Sequence, residues 1–169
     1  MKIKSKQRNS RMCIICGMDN PNSVQAEFYN MEDNSVVSLF QYKETHQSYP
    51  GRVHGGMITA MLDEIGLRAV WTTEENQFGV TMSLKTNYRK PVPYNTPLLA
   101  RGEIVLSNHR FLKGEAKIYD MDGNLLADGE MKYIKLKDED ISNTPMHEDM
   151  KYLIESDLTE IPYPWEKSE

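Results

Sequence analysis

The sequence predicts an α+β fold in which one antiparallel sheet wraps a single long, buried helix. Residues from Met57 to about Thr72 are apolar on nearly all sides and include good helix formers, which is typical of a helix inside a core. Segments on both sides of this helix alternate polar and apolar residues with a period of two, and polar turns separate them. One buried helix against about six antiparallel strands is an α+β arrangement. A length of 169 residues suits one such domain.

Two strands are predicted before the helix and four after it. The first pair consists of the alternating residues from Val24 to Phe28 and the segment "VVSLFQY", joined by the polar turn "NMEDNS". The four later strands are expected to form an antiparallel meander, with a hairpin signal at Asp122-Gly123. They are "VTMSLKTNYRKPV", "PLLARGEIVLSN", "RFLKGEAKIYD" and "LLADGEMKYIKL". Strict alternation in the first of them places Val80, Met82, Leu84, Thr86 and Tyr88 on one face and Thr81 on the other.

Composition excludes several classes of protein. The net charge of −5 and the lack of a basic stripe beyond the first residues argue against a nucleic-acid surface. No apolar run approaches the roughly 20 residues that cross a bilayer. The short patch "MCIICGM" lacks the length and the cleavage site of a signal peptide, so we expect a cytoplasmic protein without a membrane partner.

Cys13 and Cys16 form an isolated CxxC motif. Zinc usually takes four ligands, and the chain has no second CxxC and only four scattered histidines. A thioredoxin-type motif would open a helix, whereas Gly17, Asn20 and Pro21 indicate a turn. We therefore expect two reduced thiols in a turn before the first strand, with no metal site and no cofactor.

Asp63 is the unusual residue of the buried helix. It lies on a stripe of small residues, whereas the opposite side is large and apolar. A stripe of this kind lets a strand, a second subunit or a ligand come close. The stripe comprises Gly56, Thr59, Ala60, Asp63 and then Gly66 or Leu67, and the large side comprises Met57, Ile58, Met61, Leu62 and Ile65.

The start of the same helix is a candidate oxyanion site. Gly55 and Gly56 leave their amides unshielded at the positive end of the helix dipole. Asp63 lies about 10 Å further along the axis at about 1.5 Å per residue, too far to share one reacting atom, so an acid of one subunit would face the glycines of another across a two-fold axis. The structural alternative is that the glycines only form a tight entry turn and that Arg68 pairs with Asp63.

At these residues the chain resembles a known family, the hot-dog-fold thioesterases, and in particular the phenylacetate-degradation (PaaI-like) acyl-CoA thioesterases. The resemblance rests on His54-Gly55-Gly56 followed by six residues and Asp63, on "NYRKPVP" and on the opening "CIICGMDNPN". It covers roughly Cys13 to Leu136. It implies a hot-dog domain over residues 1–136, with an N-terminal arm at 1–22. Residues 137–169 remain as an acidic extension, in which a short amphipathic helix is predicted from about Thr144, presenting Met146, Met150, Leu153 and Ile154.

What the resemblance implies is hydrolysis of an acyl-CoA thioester at a site shared by two subunits of a homodimer or homotetramer. Asp63 matches the general base or nucleophile, Gly56 the amide that polarises the carbonyl, His54 its neighbour, and Thr81 a hydroxyl that positions water. The usual loop amide is missing, and Gln47 or Ser48 is expected to replace it. Glu64 is expected to be a salt-bridge partner in the first place and a catalytic residue only in the second. The substrate-binding residues are expected to be Gly55, Gln47, Ser48, Asn87, Arg89 and Lys90, of which the last two would face phosphates.

Two other functions remain open at this point. The first is a protein on the same scaffold that binds acyl-CoA or another small ligand without turnover. The second is a hot-dog dehydratase or hydratase, which is disfavoured because the HGG opening is not typical of those relatives. The acyl group and the choice between dimer and tetramer cannot be read from the sequence.

Overall fold

The computed structural model describes residues 1–163, which form a seven-stranded antiparallel sheet, a two-stranded hairpin and one long helix. The predicted α+β hot-dog class is confirmed. The strands are β1 (Ile3–Lys6), β2 (Tyr29–Met31), β3 (Val36–Phe40), β4 (Gln47–Tyr49), β5 (Arg52–Val53), β6 (Phe78–Tyr88), β7 (Leu98–Ser107), β8 (Phe111–Asp120) and β9 (Leu125–Leu136). The helices are α1 (Gly55–Arg68), α2 (Asp138–Ile141) and α3 (Met146–Asp149), with 3-10 turns at Glu44–His46 and Ala69–Thr72. In the described part of the chain, no helix is long and apolar enough to cross a membrane.

Helix α1 begins two residues before the predicted start because His54 caps it. The Gly56 N–H donates to Nδ1 of His54 at 2.9 Å, which satisfies one of the first-turn amides that lack an intrahelical partner. The helix ends at Arg68 and the chain tightens into the 3-10 turn over the last predicted residues. The side chains of Ile58, Met61, Leu62 and Ile65 are buried and fill the core, as the apolar pattern predicts.

The order of the strands corrects the predicted meander. The sheet order is β1-β2-β3-β7-β8-β9-β6, so of the four strands in the predicted meander only β7, β8 and β9 are sequential neighbours. The segment between β6 and β7 contains Pro91, Pro93 and Pro97, which a tight hairpin between paired strands would not accommodate. The chain therefore crosses over, β7 pairs with β3, and β6 becomes an edge strand beside β9.

The predicted count of six strands was wrong because the N-terminal arm supplies a seventh. Strand β1 pairs with β2 at the other edge of the sheet, and the C-terminal segment covers part of that edge, since the Ile3 N–H donates to the carbonyl oxygen of Thr159 at 2.9 Å. The residues from Val24 to Phe28 are not a strand, since Gln25 has a φ of 59°, which an extended strand cannot contain. Their alternation reflects burial alone. The CxxC turn accordingly follows β1 instead of preceding the first strand.

A β-bulge at Met82 corrects the predicted alternation in β6. Thr81 pairs with Tyr133 and Ser83 pairs with Lys132, so Met82 is an extra residue on this strand. Paired residues of neighbouring strands share a face, and Tyr133 faces α1. The bulge thereby places Thr81 on the helix side of the sheet, three positions before Leu84, which also packs on the core.

The C-terminal segment packs on the outer face of the sheet, away from α1. Ile161 and Tyr163 form a second apolar cluster with Met31, Val37 and Leu99, among others. The predicted amphipathic helix is limited to the four residues of α3, after which the chain extends and forms bridges from Tyr152 to Asn9 and from Glu160 to Lys2. The boundary at residue 136 stays a prediction, and residues 164–169 lie outside the described part of the chain.

Arg68 joins the end of α1 to the N-terminal arm. Its guanidinium is almost fully buried, and Nε donates to Glu64 Oε1 at 2.7 Å. Nη1 donates to Gln7 Oε1 and to the carbonyl oxygen of Arg8, both at 3.1 Å, and the group lies over the ring of Phe28. Arg68 therefore pairs with Glu64, as expected for Glu64, and within residues 1–163 Asp63 has no cationic partner.

Arg68→Ala should lower the free energy of unfolding by about 3–5 kcal/mol, because it leaves the Glu64 carboxylate half-buried without its cation and empties a packed site. Urea unfolding at neutral pH measures the change. Arg52→Ala, at an exposed arginine before the same helix, is the control and should change stability by less than about 0.5 kcal/mol. Equal effects of the two variants would contradict this role of Arg68.

His54→Ala should cost about 1 kcal/mol of stability because the Gly56 amide loses its side-chain acceptor. His54→Asn restores a side-chain oxygen at the cap and should recover most of the loss. Thermal and urea unfolding of the two variants give the comparison. Indistinguishable stabilities would show that the imidazole does not act as a cap.

Candidate active site

Asp63 lies on the side of α1 that packs against the edge strand β6. Its carboxylate is half-buried, and the Thr81 hydroxyl is shared between its two oxygens, 2.9 Å from Oδ1 and 3.0 Å from Oδ2. The Tyr133 hydroxyl donates to the Asp63 carbonyl oxygen at 2.9 Å. Gly66 makes room for this contact, because a Cβ there would lie 2.7 Å from the Tyr133 oxygen.

Burial raises the pKa of the Asp63 carboxyl above its ordinary value, and the neighbouring charge of Glu64 acts in the same direction. The hydrogen bond from Thr81 opposes the shift because it stabilises the charged form. Thr81 itself is exposed at the edge of the sheet, so the carboxylate lies at a surface. The Asp63 carboxylate is therefore a stronger base than a solvated aspartate and is still accessible from the β6 edge.

The small-residue stripe of α1 meets a strand of the same chain. Thr59 Oγ1 lies 3.1 Å from Thr86 Oγ1 and 2.7 Å from the Tyr88 hydroxyl. The Tyr88 hydroxyl also donates to the carbonyl oxygen of Gly55 at 3.0 Å. Of the three expected neighbours of the stripe, a strand, a second subunit or a ligand, the strand β6 therefore occupies it.

The start of α1 presents Gly56 at the surface, and the Gly56 amide is already bonded. Gly56 is exposed and its N–H donates to the His54 imidazole, whereas Gly55 lies under the Tyr88 ring. Asp63 and Gly56 are seven positions apart on one straight helix, which separates them by about 10 Å. The structure thus holds the predicted acid and the predicted amide apart within one chain.

The predicted substrate-binding residues lie at two places near this helix start. Asn87 Nδ2 and Arg89 Nε donate to Asp128, at 2.7 and 2.6 Å, and Lys90 Nζ donates to Asn124 at 2.7 Å. These contacts hold the cations of Arg89 and Lys90 on the exposed end of β6, next to Tyr88.

Gln47 and Ser48 are exposed in β4, and the β4–β5 hairpin leads directly into His54. The preceding residue, His46, has a structural role instead. It is buried, its Nε2 lies 2.7 Å from the carbonyl oxygen of Asn22, and its Nδ1 accepts the N–H of Lys43 at 3.1 Å. Gln47 and Ser48, the expected replacements for the loop amide, thus lie on the surface before α1 and form no hydrogen bond with Gly55 or Gly56 in the described part of the chain.

The contacts of three residues near the site were not predicted from the sequence: those of Thr59, Tyr88 and Tyr133. The period of two in "VTMSLKTNYRKPV" placed Tyr88 on a face but not against the helix start. Tyr133 is identified only by the register that pairs it with Thr81. A cross-strand register is a long-range property, and no local pattern in this sequence indicates it.

A cleft of about 1450 Å³ opens near the other end of α1, between the N-terminal arm and the C-terminal segment. Trp71, Phe78, Leu136 and Met146 are among its lining residues, and none of the predicted site residues lines it. Its volume does not make it the active site, because it contains neither the Asp63 carboxylate nor the glycine amides. The candidate site is therefore the open surface along β6.

Known proteins resemble this chain in sequence and fold. The family model described as the thioesterase superfamily matches residues 50–127. A putative esterase of Saccharolobus solfataricus is 30% identical over 57% of this chain and 68% of its own length. The mouse acyl-coenzyme A thioesterase THEM4 is 30% identical over 68% of this chain, which spans about half (49%) of that relative.

The solved structure of RHA08564, a thioesterase superfamily protein, superimposes with a TM-score of 0.67 at 26% identity, over 73% of this chain and 63% of the other. The matched range contains His54, Gly55, Gly56 and Asp63, whose spacing is part of the resemblance in the sequence, whereas the opening "CIICGMDNPN" lies outside it. The predicted class of enzyme, a thioesterase, is confirmed at the level of the superfamily. The chain belongs to the thioesterase superfamily.

Proposed function

We propose that this protein hydrolyses an acyl-CoA thioester, with the Asp63 carboxylate as general base or nucleophile and the amides at the start of α1 as the oxyanion site. The observation that carries the proposal is the half-buried Asp63 carboxylate on the helix that begins with two glycines. It is bonded to Thr81 and pairs with no cation among the described residues. Membership of the thioesterase superfamily supports the reaction, and the name of the mouse relative supports coenzyme A as the carrier.

Hydrolysis of a thioester requires a base for water and a donor for the developing oxyanion. As water attacks the carbonyl carbon, Asp63 accepts its proton, and the carbonyl oxygen takes the electron pair of the double bond. Collapse of this intermediate breaks the carbon–sulfur bond, and the CoA sulfur leaves with the proton that Asp63 returns. In the second form of this mechanism, Asp63 attacks the carbonyl carbon itself, and the carbon–sulfur bond breaks to release the CoA thiolate. Water then cleaves the mixed anhydride to the free acid and regenerates Asp63, and the proton set free goes to the thiolate.

Burial raises the pKa of the Asp63 carboxyl, and Thr81 orients its carboxylate. The raised pKa of the carboxyl brings it closer to that of an effective base near neutral pH. The shared hydrogen bond from Thr81 fixes the carboxylate plane and leaves lone pairs on both oxygens for water. Thr81 thus acts as a positioning residue for the acid.

The His54 imidazole occupies the position that the thioester oxygen would take on the Gly56 amide. Nδ1 of His54 is a hydrogen-bond acceptor 2.9 Å from the Gly56 nitrogen, and a carbonyl oxygen is an acceptor of the same kind. Substrate binding would exchange one acceptor for the other, or share the amide between them. The positive end of the α1 dipole stabilises an oxyanion at this point.

A two-fold dimer through β6 would assemble the acid and the amide into one site. Strand β6 is an 11-residue edge strand, and Val80, Met82 and Tyr88 expose more than 40% of their surface along it. A long, apolar edge of this kind is normally covered. Antiparallel pairing of β6 with its copy would place the Thr81 end of one strand level with the Tyr88 end of the other, so that Asp63 of each chain faces the glycines of its partner.

Arg89 and Lys90 would then lie at the rim of this site. Both are exposed and both emerge from the end of β6 that contacts the helix start. Arg89 is bonded to the half-buried Asp128 and Lys90 to the exposed Asn124 side chain, and a phosphate can compete with both acceptors for these cations. This position suits the phosphates of coenzyme A.

Asp63→Asn should lower kcat/KM by about 10²–10⁴-fold, because the amide is nearly the same size but cannot accept a proton. Thiol release is measured on a panel of short, medium, long and aromatic acyl-CoAs, with circular dichroism as the check on folding. Asp122→Asn, in the exposed turn before β9, is the matched control and should leave turnover unchanged. Equal turnover of wild type and Asp63→Asn would contradict the role of Asp63. Saturable binding by the wild type without any thiol release would instead support a non-catalytic acyl-CoA binding protein.

Pairing two inactive variants tests whether the site is shared between subunits. Asp63→Asn removes the base, and Gly56→Pro removes the amide N–H at a first-turn position where proline is tolerated. Co-expression with two affinity tags yields the heterodimer. One of its two sites then contains an intact Asp63 and an intact Gly56, so about half of the wild-type activity should return. A heterodimer as inactive as both parents would show that the two groups act within one chain.

A further inference from the structure

The fold brings together a second group of chemically active side chains, on the side of α1 away from the proposed reaction. The Sγ atoms of Cys13 and Cys16 and a carboxylate oxygen of Glu64 all lie within 4.8 Å of one another. Both cysteines are free thiols, and none of the three side chains takes part in the hydrolysis proposed above. Thiolate sulfur with a carboxylate oxygen is a donor set that zinc accepts.

The CxxC turn has its backbone arranged around the first sulfur. The Gly17 N–H donates to the Cys13 carbonyl oxygen at 2.8 Å and closes the turn. The amides of Ile15 and Cys16 then point at Cys13 Sγ, at 3.3 and 3.5 Å. Two amide donors stabilise a thiolate more than a thiol, because the acceptor carries the charge. A side chain at position 17 would be 2.4 Å from the Cys13 carbonyl oxygen, so the turn requires the glycine.

Glu64 divides its two oxygens between two partners. Oε1 accepts from Arg68 Nε at 2.7 Å, whereas Oε2 faces Cys13 Sγ at 3.8 Å. Bond lengths of about 2.3 Å to sulfur and 2.0–2.2 Å to oxygen put tetrahedral ligand atoms about 3.6 Å apart. The separation of Cys13 Sγ and Glu64 Oε2 is therefore close to the one that a bound zinc ion would set.

The second sulfur has its own outer partners. Arg68 Nη2 donates to Cys16 Sγ at 3.0 Å, and the Ser10 hydroxyl lies 3.2 Å from the same atom. Outer hydrogen bonds to each ligand are the usual surroundings of a protein metal site. The charges also balance: with both thiols protonated, Glu64 and Arg68 neutralise each other, and a divalent cation that replaces the two thiol protons preserves that balance.

We propose that Cys13, Cys16 and Glu64 bind a thiophilic divalent cation of the zinc class, with water as the fourth ligand. Binding replaces the two thiol protons by the metal, and no electrons are transferred. The sequence alone led us to expect no zinc site, because the third ligand lies on a helix 51 positions after Cys13 and no local spacing indicates it. The ion would tie the N-terminal turn to α1 one residue from Asp63.

Metal titration of the reduced full-length chain tests the site. Added Co²⁺ should produce a thiolate-to-cobalt charge-transfer band that saturates at one ion per chain and disappears when Zn²⁺ is added. Cys13→Ser and Cys16→Ser should each abolish the band, and Glu64→Gln should weaken binding at least about tenfold. Asp63→Asn, which changes the adjacent acid outside the cluster, is the matched control and should bind normally.

A second measurement on the wild type does not depend on the folding of any variant. The chain has two cysteines, so mass spectrometry after iodoacetamide treatment reports on these thiols alone. Zn²⁺ should protect both from alkylation. Unchanged alkylation with Zn²⁺, absence of the cobalt band, or formation of a Cys13–Cys16 disulfide by a reduced chain that binds no metal would each overturn the proposal.

Discussion

The close contact between α1 and the edge strand β6 is the constraint on which the site depends. A buried helix normally keeps carboxylates away, since desolvation of a charge costs free energy unless a partner compensates it. Here a strip of small residues lets β6 approach until Thr81 and Thr86 reach side chains on the helix. The hydrogen bond from Thr81 offsets part of the desolvation cost of the Asp63 charge without neutralising it. Arg68, a cation on the same helix, is held by Glu64 on another side of the helix. The result is a carboxylate that stays available for chemistry.

The sides of the same helix lie in different environments. Its large apolar side fills the core, its small side carries Asp63 toward the sheet edge, and the Glu64–Arg68 pair anchors the N-terminal turn. The adjacent acids therefore differ in role because they differ in partners. Glu64 has a cation and two thiols beside it, whereas Asp63 has a hydroxyl and an open edge.

Much of this fold follows from local patterns, and the failures have a common cause. The bounds of β9 agree with the predicted segment to the residue, and those of β7 and β8 to within a residue or so, because turn residues delimit each of them. By contrast, the place of β6 beside β9, the bulge at Met82 and the contribution of β1 all depend on pairing between distant segments. The segment from Val24 to Phe28 fails for a local reason. Its alternation reflects burial, and the positive φ of Gln25 prevents an extended strand.

The residues of the candidate site follow from the His54-Gly55-Gly56 and Asp63 spacing, whereas the contacts that surround them do not. That Thr81 reaches Asp63 depends on the bulge, and that His54 caps the Gly56 amide depends on a rotamer.

The central claim is that the acid of one chain and the helix start of its partner hold one thioester between them. A crystal structure of the full chain with an acyl-CoA analogue in which methylene replaces the sulfur tests it most directly. The account predicts the analogue carbonyl oxygen about 2.7–3.1 Å from an amide at the start of α1 in one chain, with Asp63 of the other chain beside the carbonyl carbon. An analogue seated in the cleft lined by Trp71 and Phe78, remote from Asp63, would contradict it.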